Sequence, residues 1–187
     1  MSNPTTDYSN IYEATKKLQD LRFQHWLHHD IFTWFWWLLF ALVIVPWIIW
    51  WKLADKTRLI ELLLFGALAA VISVTLDTIG TLNLWWMYKT EFCVQFPGLL
   101  AADITDIPVV FMLAHQYCAT WKSFAITILL ISGIAAFVIE PLCKWLDVYN
   151  PLSWRHVYSF AIYCIMAMSL RLTVIKLQET ELRSAQK

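Results

Sequence analysis

Five apolar runs, at 31–51, 59–86, 97–118, 123–143 and 154–175, follow one another with only short polar connections between them. A helix needs roughly 20 such residues to cross a hydrocarbon core about 30 Å thick, and each run reaches that length. Lipid gives an isolated strand no partner for its backbone N–H and C=O groups, so each run is expected to be one helix. This pattern sets the predicted fold class: all-α, an integral membrane bundle of five transmembrane helices. The expected plan is an interfacial amphipathic helix within 1–30, a membrane domain at 31–175 and a C-terminal tail at 176–187.

Composition narrows the alternatives. The chain is 59% hydrophobic and 15% charged, which is unlike a disordered segment, and its four glycines are too few for a collagen repeat or a Gly-rich nucleotide loop. Its 14 basic and 14 acidic residues cancel, and the basic ones are scattered rather than striped, so no nucleic-acid partner is expected. Cys93, Cys118, Cys143 and Cys164 form no C-x-x-C pair and have no His at zinc-site spacing. Cys93 and Cys143 fall on one predicted side and could join if that side is oxidising; free, packed thiols are the other reading. Residues 1–30 are polar, without an apolar core and small-residue cleavage site, so the first span is expected to serve as its own insertion signal.

Trp34, Trp36, Trp37, Trp50, Trp51, Trp85, Trp86, Tyr88, Trp145, Tyr149 and Trp154 crowd the ends of the runs. Amphipathic rings at those positions read as the aromatic belts of a multi-span protein. Five spans put the termini on opposite sides, and the basic residues divide six against eight, three of the eight (Lys52, Lys56, Arg58) in one very short loop. Positive-inside bias then predicts the N-terminus outside and the C-terminus in the cytoplasm. Before the first span, Ile11, Ala14, Leu18 and Leu21 recur at helical steps opposite Glu13, Lys16, Lys17, Gln19 and Asp20, predicting an amphipathic helix on the membrane or against the bundle. No internal repeat is visible, and an odd span count argues against an inverted-repeat transporter.

A charge inside a span costs on the order of 2.5–3.5 kcal/mol on insertion scales, so each one needs a partner, a water-filled cavity or a function. Asp77, Asp103, Asp106 and Glu140 are such groups, and following the chain through the bilayer puts all four toward the N-terminal side. At 100° per residue Asp103 and Asp106 share a helix face continued by Val110, Ala114 and Tyr117, while His115 points nearly opposite Asp106. Ser73, Asp77 and Thr81 form an i, i+4, i+8 stripe, and Glu140 lies above Ala136 and Gly133. Such stripes belong in the bundle interior, because a carboxylate against lipid would be left unsolvated. Arg155 and His156 begin the fifth span at the same level and can partner the acids. Pro108 and Pro141 each follow an acid closely, and a proline frees a carbonyl one turn upstream, which beside a carboxylate suits a cation or a proton. The candidate ion or polar-ligand site is therefore Asp77, Asp103, Asp106, Glu140, Arg155 and His156. The plainer reading has Asp77 and Glu140 pairing with Arg155 or capping helix ends near the interface.

His25, His28 and His29, in H-W-L-H-H, have the i, i+3, i+4 spacing that can bring imidazoles to one metal, or they can cap the first span at the interface. His115-Gln116 reads as a packed, hydrogen-bonded pair, and Gly66 with Ala70 and Ser132 with Ala136 as close helix contacts. There is no G-x-S-x-G and no H-E-x-x-H, so no catalytic residue and no cofactor is expected.

The run W-K-L-A-D-K-T-R-L-I-E-L-L-L-F-G, then L-D-T-I-G, L-W-W-M-Y, D-I-P-V-V-F-M-L-A-H-Q-Y, W-K-S-F, F-V-I-E-P-L and W-R-H-V-Y-S-F-A-I-Y resembles a family of small multi-span membrane proteins of Bacillota, many of them spore formers, which have no described activity. The resemblance covers 51–171 and implies a bacterial plasma-membrane protein with Asp77, Asp106, Pro108, Gln116, Glu140, Pro141, Trp154 and Tyr158 at family motif positions. The Trp-rich first span and H-W-L-H-H lie outside it. A fainter similarity runs to the membrane-embedded lycopene cyclase domain, through Asp77-Thr-Ile-Gly80 and Trp85. That family's Pro-Glu-Glu is replaced here by Asp106-Ile-Pro108, which removes its paired acids.

Three functions follow as expectations. The first is passage or sensing of a small cation or proton at the intramembrane acids, in a homo-oligomer, since one copy of five short-looped helices has little interior for a solute path. The second is a non-catalytic membrane subunit that binds protein or lipid partners, and the third a membrane-embedded lipid or terpenoid enzyme.

Overall fold

The computed structural model describes residues 4–96 and 98–185. Pro97, the first residue of the third predicted run, and the chain ends at 1–3 and 186–187, with the Lys187 of the basic count, lie outside them. The helices are α1 (Pro4–His25), α2 (Trp34–Leu53), α3 (Leu59–Leu82), α4 (Ile107–Tyr117), α5 (Trp121–Ile134), α6 (Glu140–Trp145) and α7 (His156–Ala185). Two short strands, β1 (Trp86–Tyr88) and β2 (Tyr149–Pro151), pair antiparallel with Trp86 opposite Pro151 and Tyr88 opposite Tyr149.

Four helical stretches are long and apolar enough to cross a membrane: Trp34–Leu53, Lys56–Leu82, Trp121–Trp145 and His156–Ser184. The sequence predicts five. The remaining run is helical over 100–117, but Asp103, Asp106, His115 and Gln116 leave it less apolar than the others. The second run is also shorter than expected: α3 stops at Leu82, Leu84 takes a positive φ of 53°, and 86–88 peel away as β1. At the far end α7 continues as helix through 176–185, where a tail is expected.

Side chains such as Ile60, Val71, Leu130 and Ile165 point outward from these helices, 85%, 64%, 63% and 68% exposed. A solvated bundle would bury residues of this kind; a lipid-facing surface accounts for them. The core runs along α3, where Leu62, Phe65 and Ala69 meet Val109 and Met112 of α4, Phe124 and Ile128 of α5, and Ala167, Leu170 and Val174 of α7. Gly66 makes the close helix contact expected of it, since a Cβ there would lie 2.5 Å from Met112 Sδ.

Pro46 sits within a continuous α2, but Pro108 and Pro141 reshape their helices. A π-helical turn, Ala102–Asp106, precedes Ile107-Pro108, and another, Ala135–Ile139, precedes Glu140-Pro141. Ile107 N–H reaches back to Ala102 O and Glu140 N–H to Ala135 O, five residues upstream. A proline offers no N–H, so the ladder slips by one residue just before it and resumes beyond.

The N-terminal segment is helical as predicted, yet it lies apart from the bundle. Tyr8, Ile11, Leu18 and Leu21 of α1 are all exposed. It is held at its end, where Arg22 Nη2 donates to both oxygens of Glu91 at 2.7 Å and His25 Nε2 sits 3.3 Å from Lys89 O. Trp26 and Trp36 both donate their indole N–H to Phe92 O, fastening the same loop to α2.

Candidate functional site

The wide turn before Pro108 separates the two acids that were expected to share a face. Asp103 is buried, while Asp106 is half-buried and its side chain makes no hydrogen bond among the described residues. The 100° step assumes an α-helix throughout, whereas the π-turn rotates Asp106 relative to Asp103. The predicted continuation splits in the same way: Ala114 is buried, but Val110 and Tyr117 face outward.

Asp103 instead meets Asp77 across the α3 interface. Both residues are 7% exposed, and their carboxyl groups lie within hydrogen-bonding reach of each other. Asp77 Oδ1 accepts from Trp86 Nε1 at 2.8 Å and from Tyr88 Oη at 2.7 Å. Asp103 Oδ1 accepts from Ser73 Oγ at 2.6 Å, so the Ser73–Asp77 stripe does face inward. Among the described residues Asp77 Oδ2 is buried without a well-formed hydrogen bond, with the Leu99 N–H the backbone donor beside this carboxyl group. Both Oδ2 atoms turn toward Gly98, where an added Cβ would lie 1.8 Å from that of Asp77 and 3.4 Å from that of Asp103. Only glycine lets the chain pass this close.

Residues expected to form part of the aromatic belt build this site. Trp145 and Trp34 are exposed enough for a belt role, at 79% and 70%, but Trp86 and Tyr149 are buried and Trp50 is a core residue at 2%. Pairing of β1 with β2 turns Trp86 and Tyr88 inward onto Asp77. Gly80, one turn below, leaves room for the Trp86 ring, which a Cβ would meet at 2.0 Å. Trp154 stacks on Trp85 and meets Trp86 edge-on, closing the cluster. Burial, with the Asp77 charge beside it, pushes the Tyr88 phenol well above its ordinary range, so Tyr88 keeps its proton and donates. Burial, then Glu140, likewise raises Tyr149.

Glu140 forms a neighbouring unit. Its Oε2 lies 2.7 Å from His156 Nδ1 and its Oε1 accepts from Tyr163 Oη at 3.2 Å. His156 thus partners an acid as expected, whereas Arg155 is exposed and contacts none of them. The opposite end of α3 carries a network that the sequence reading left out. Glu61 accepts two bonds from Arg58, at 2.9 and 2.5 Å, and sits 2.8 Å from His115 Nε2. Its only sequence cue is the Arg58-to-Glu61 spacing of three in a first helical turn. Gln116 joins this end as a hydrogen-bonded residue, donating to Leu53 O and accepting from Asp55 N–H, both at 2.9 Å.

Among the described residues no group of three or more His, Cys, Asp or Glu could hold a metal. His25 and His29 stack at 5.1 Å between centroids and His28 bonds Gln24, so H-W-L-H-H does not converge. All four cysteines are free, including Cys93 and Cys143.

A comparison with protein-family models, with curated proteins and with solved structures returns no match for this chain.

Proposed function

We propose that the chain is a five-span protein of a bacterial plasma membrane in which Asp77 and Asp103 take up a small cation or a proton, for passage across the bilayer or for sensing. The observation that carries this reading is the two buried carboxyl groups facing each other, with no ion pair to either among the described residues and Asp77 Oδ2 without a well-formed hydrogen bond. Two such charges in low dielectric repel strongly, so a positive species between them is the simplest compensation. The helix at 100–117 would be the short fifth span, about 27 Å at 1.5 Å per residue. The N-terminus lies outside, the C-terminus lies in the cytoplasm, and assembly of copies supplies a path. The resemblance of 51–171 to the multi-span proteins of Bacillota belongs to the same proposal.

The test is ion flux into liposomes carrying the protein, measured for H⁺, Na⁺, K⁺ and divalent ions. Flux in the wild type that falls at least tenfold in both Asp77→Asn and Asp103→Asn is the expected result. Absence of flux for every ion would defeat passage. A second reading, a membrane subunit, is favoured by the exposed apolar residues of α1. Loss of a copurifying partner when residues before Ile31 are deleted, with Asp77→Asn harmless, would select it.

A further inference from the structure

We infer that the positive species held at this site is a proton, shared between Asp77 Oδ2 and Asp103 Oδ2, and that the backbone at Gly98 is what keeps metal ions out. The inference rests on the reading of Asp77 and Asp103 as a binding site and names its ligand. Three of the lone-pair directions that a metal would use are already filled: Trp86 and Tyr88 donate to Asp77 Oδ1, and Ser73 donates to Asp103 Oδ1. What is left is one free oxygen on Asp77 and, turned to the same point, the second oxygen of Asp103. Hard cations take about six or more oxygens, and two do not make a shell. The chain at Gly98 closes one approach to these oxygens, since a single added carbon there would overlap Asp77 Oδ2, and both acids are only 7% exposed. A proton needs only the two oxygens. Taken from water, it bonds one Oδ2 as a carboxylic acid and is donated to the other, which converts a repelling pair into a hydrogen bond of net charge −1.

The surrounding groups leave that charge to the proton. The charged or titratable residues that face the pair are Tyr88 on β1, Tyr149 on β2 and Tyr163 on α7. None of the three is a cation. His156, the nearest base in the neighbouring unit, is occupied with Glu140.

Infrared difference spectra of the full chain in neutral-lipid vesicles test this. The wild type should show the C=O stretch of a protonated carboxyl group near neutral pH, shifting when H₂O is exchanged for D₂O. The band should be lost in Asp77→Asn and in Asp103→Asn alike, since the surviving carboxylate then faces an amide and needs no proton, and it should persist in Glu140→Gln. Adding NaCl, KCl, MgCl₂ or CaCl₂ should leave it unchanged. A band that survives in either Asn variant, or is displaced by one of the salts, would overturn the inference, and the salt arm needs no variant to fold. A protonated band without any ion flux would leave the shared proton standing and defeat passage. Metal flux without a band would do the reverse.

Discussion

The two ends of α3 solve the same problem in opposite ways. Near its N-terminus the half-buried Glu61 is answered by the Arg58 guanidinium, bonded twice, with the His115 imidazole 2.8 Å away. Near its C-terminus Asp77 is buried against another acid, Asp103, and its other partners are the neutral donors Trp86 and Tyr88. The first arrangement is complete by itself, because its charges cancel within the protein. The second has no answering cation among the described residues, and on the proposed function it is completed by a positive species from outside. A buried ion pair is weak evidence for anything beyond stability, whereas an uncompensated acid pair costs stability and is the better pointer to function.

The largest expected effect breaks the acid end sterically. Gly80→Ala puts a Cβ 2.0 Å from the Trp86 ring, and a packed indole flanked by Trp85 and Trp154 has nowhere to go. We expect a loss of about 3 kcal/mol in detergent unfolding, together with release of Trp86 from Asp77. The matched change toward the other end, Gly66→Ala, meets the flexible Met112 side chain and should cost less than about 1 kcal/mol. Equal costs would show that ring rigidity does not set the difference.

Charge removal should then separate the ends by sign. Glu61→Gln strips the carboxylate from Arg58 and from the buried His115, at an expected cost of about 2 kcal/mol. That figure sits below a fully buried pair because the Arg58 side chain is 39% exposed and partly screened. At a pH high enough to strip the shared proton, Asp103→Asn removes a repelling charge and offers Asp77 Oδ2 an amide donor, so there it should stabilise by about 1 kcal/mol even as it abolishes uptake. Detergent unfolding of the two variants side by side at alkaline pH checks this, and a destabilised Asp103→Asn there would mean that something other than the proton compensates the pair.

Much of this was legible in the sequence, and the failures have physical causes. The apolar runs give the helices, and the acids inside them mark the end of the bundle where Asp77 and Asp103 meet. Four stretches rather than five are apolar enough to span because the acids at 103 and 106, with His115 and Gln116, lower the apolar character of 100–117. The error over Asp106 comes from assuming an unbroken α-helical step across Pro108, where the π-turn changes the rotation. Trp86 and Tyr88 were assigned to the headgroups because hydropathy cannot distinguish an aromatic at a span end from one folded back by a strand whose partner lies some sixty residues on. Gly98 carries no local signal at all, since its role is set by the carboxyl oxygens of two other elements.

The smallest effect concerns a fourth acid, before the first of the long apolar helices, where the N-terminal segment meets the loop before α4. Asp30 is 3% exposed, accepts from Glu91 N–H at 3.1 Å and lies 3.8 Å from His25. Burial raises its carboxyl above the ordinary 3.8, against the Glu91 N–H bond and the nearby His25 and His29. The folded chain therefore holds that proton to higher pH than the unfolded chain does. Stability falls as pH rises from about the ordinary carboxyl value through the raised one, and the penalty is constant above it. Asp30→Asn keeps an oxygen to accept from Glu91 and has no proton to lose, so its unfolding midpoint should lack that slope. It should exceed the wild type by less than about 1 kcal/mol at neutral pH. Unfolding midpoints of both chains across acid to neutral pH decide the point. Parallel curves would mean that Asp30 is solvated, which would leave the acid end of α3, with Asp77, Asp103 and the unpaired Asp106, as the region where the described residues bury carboxyl groups without an answering cation.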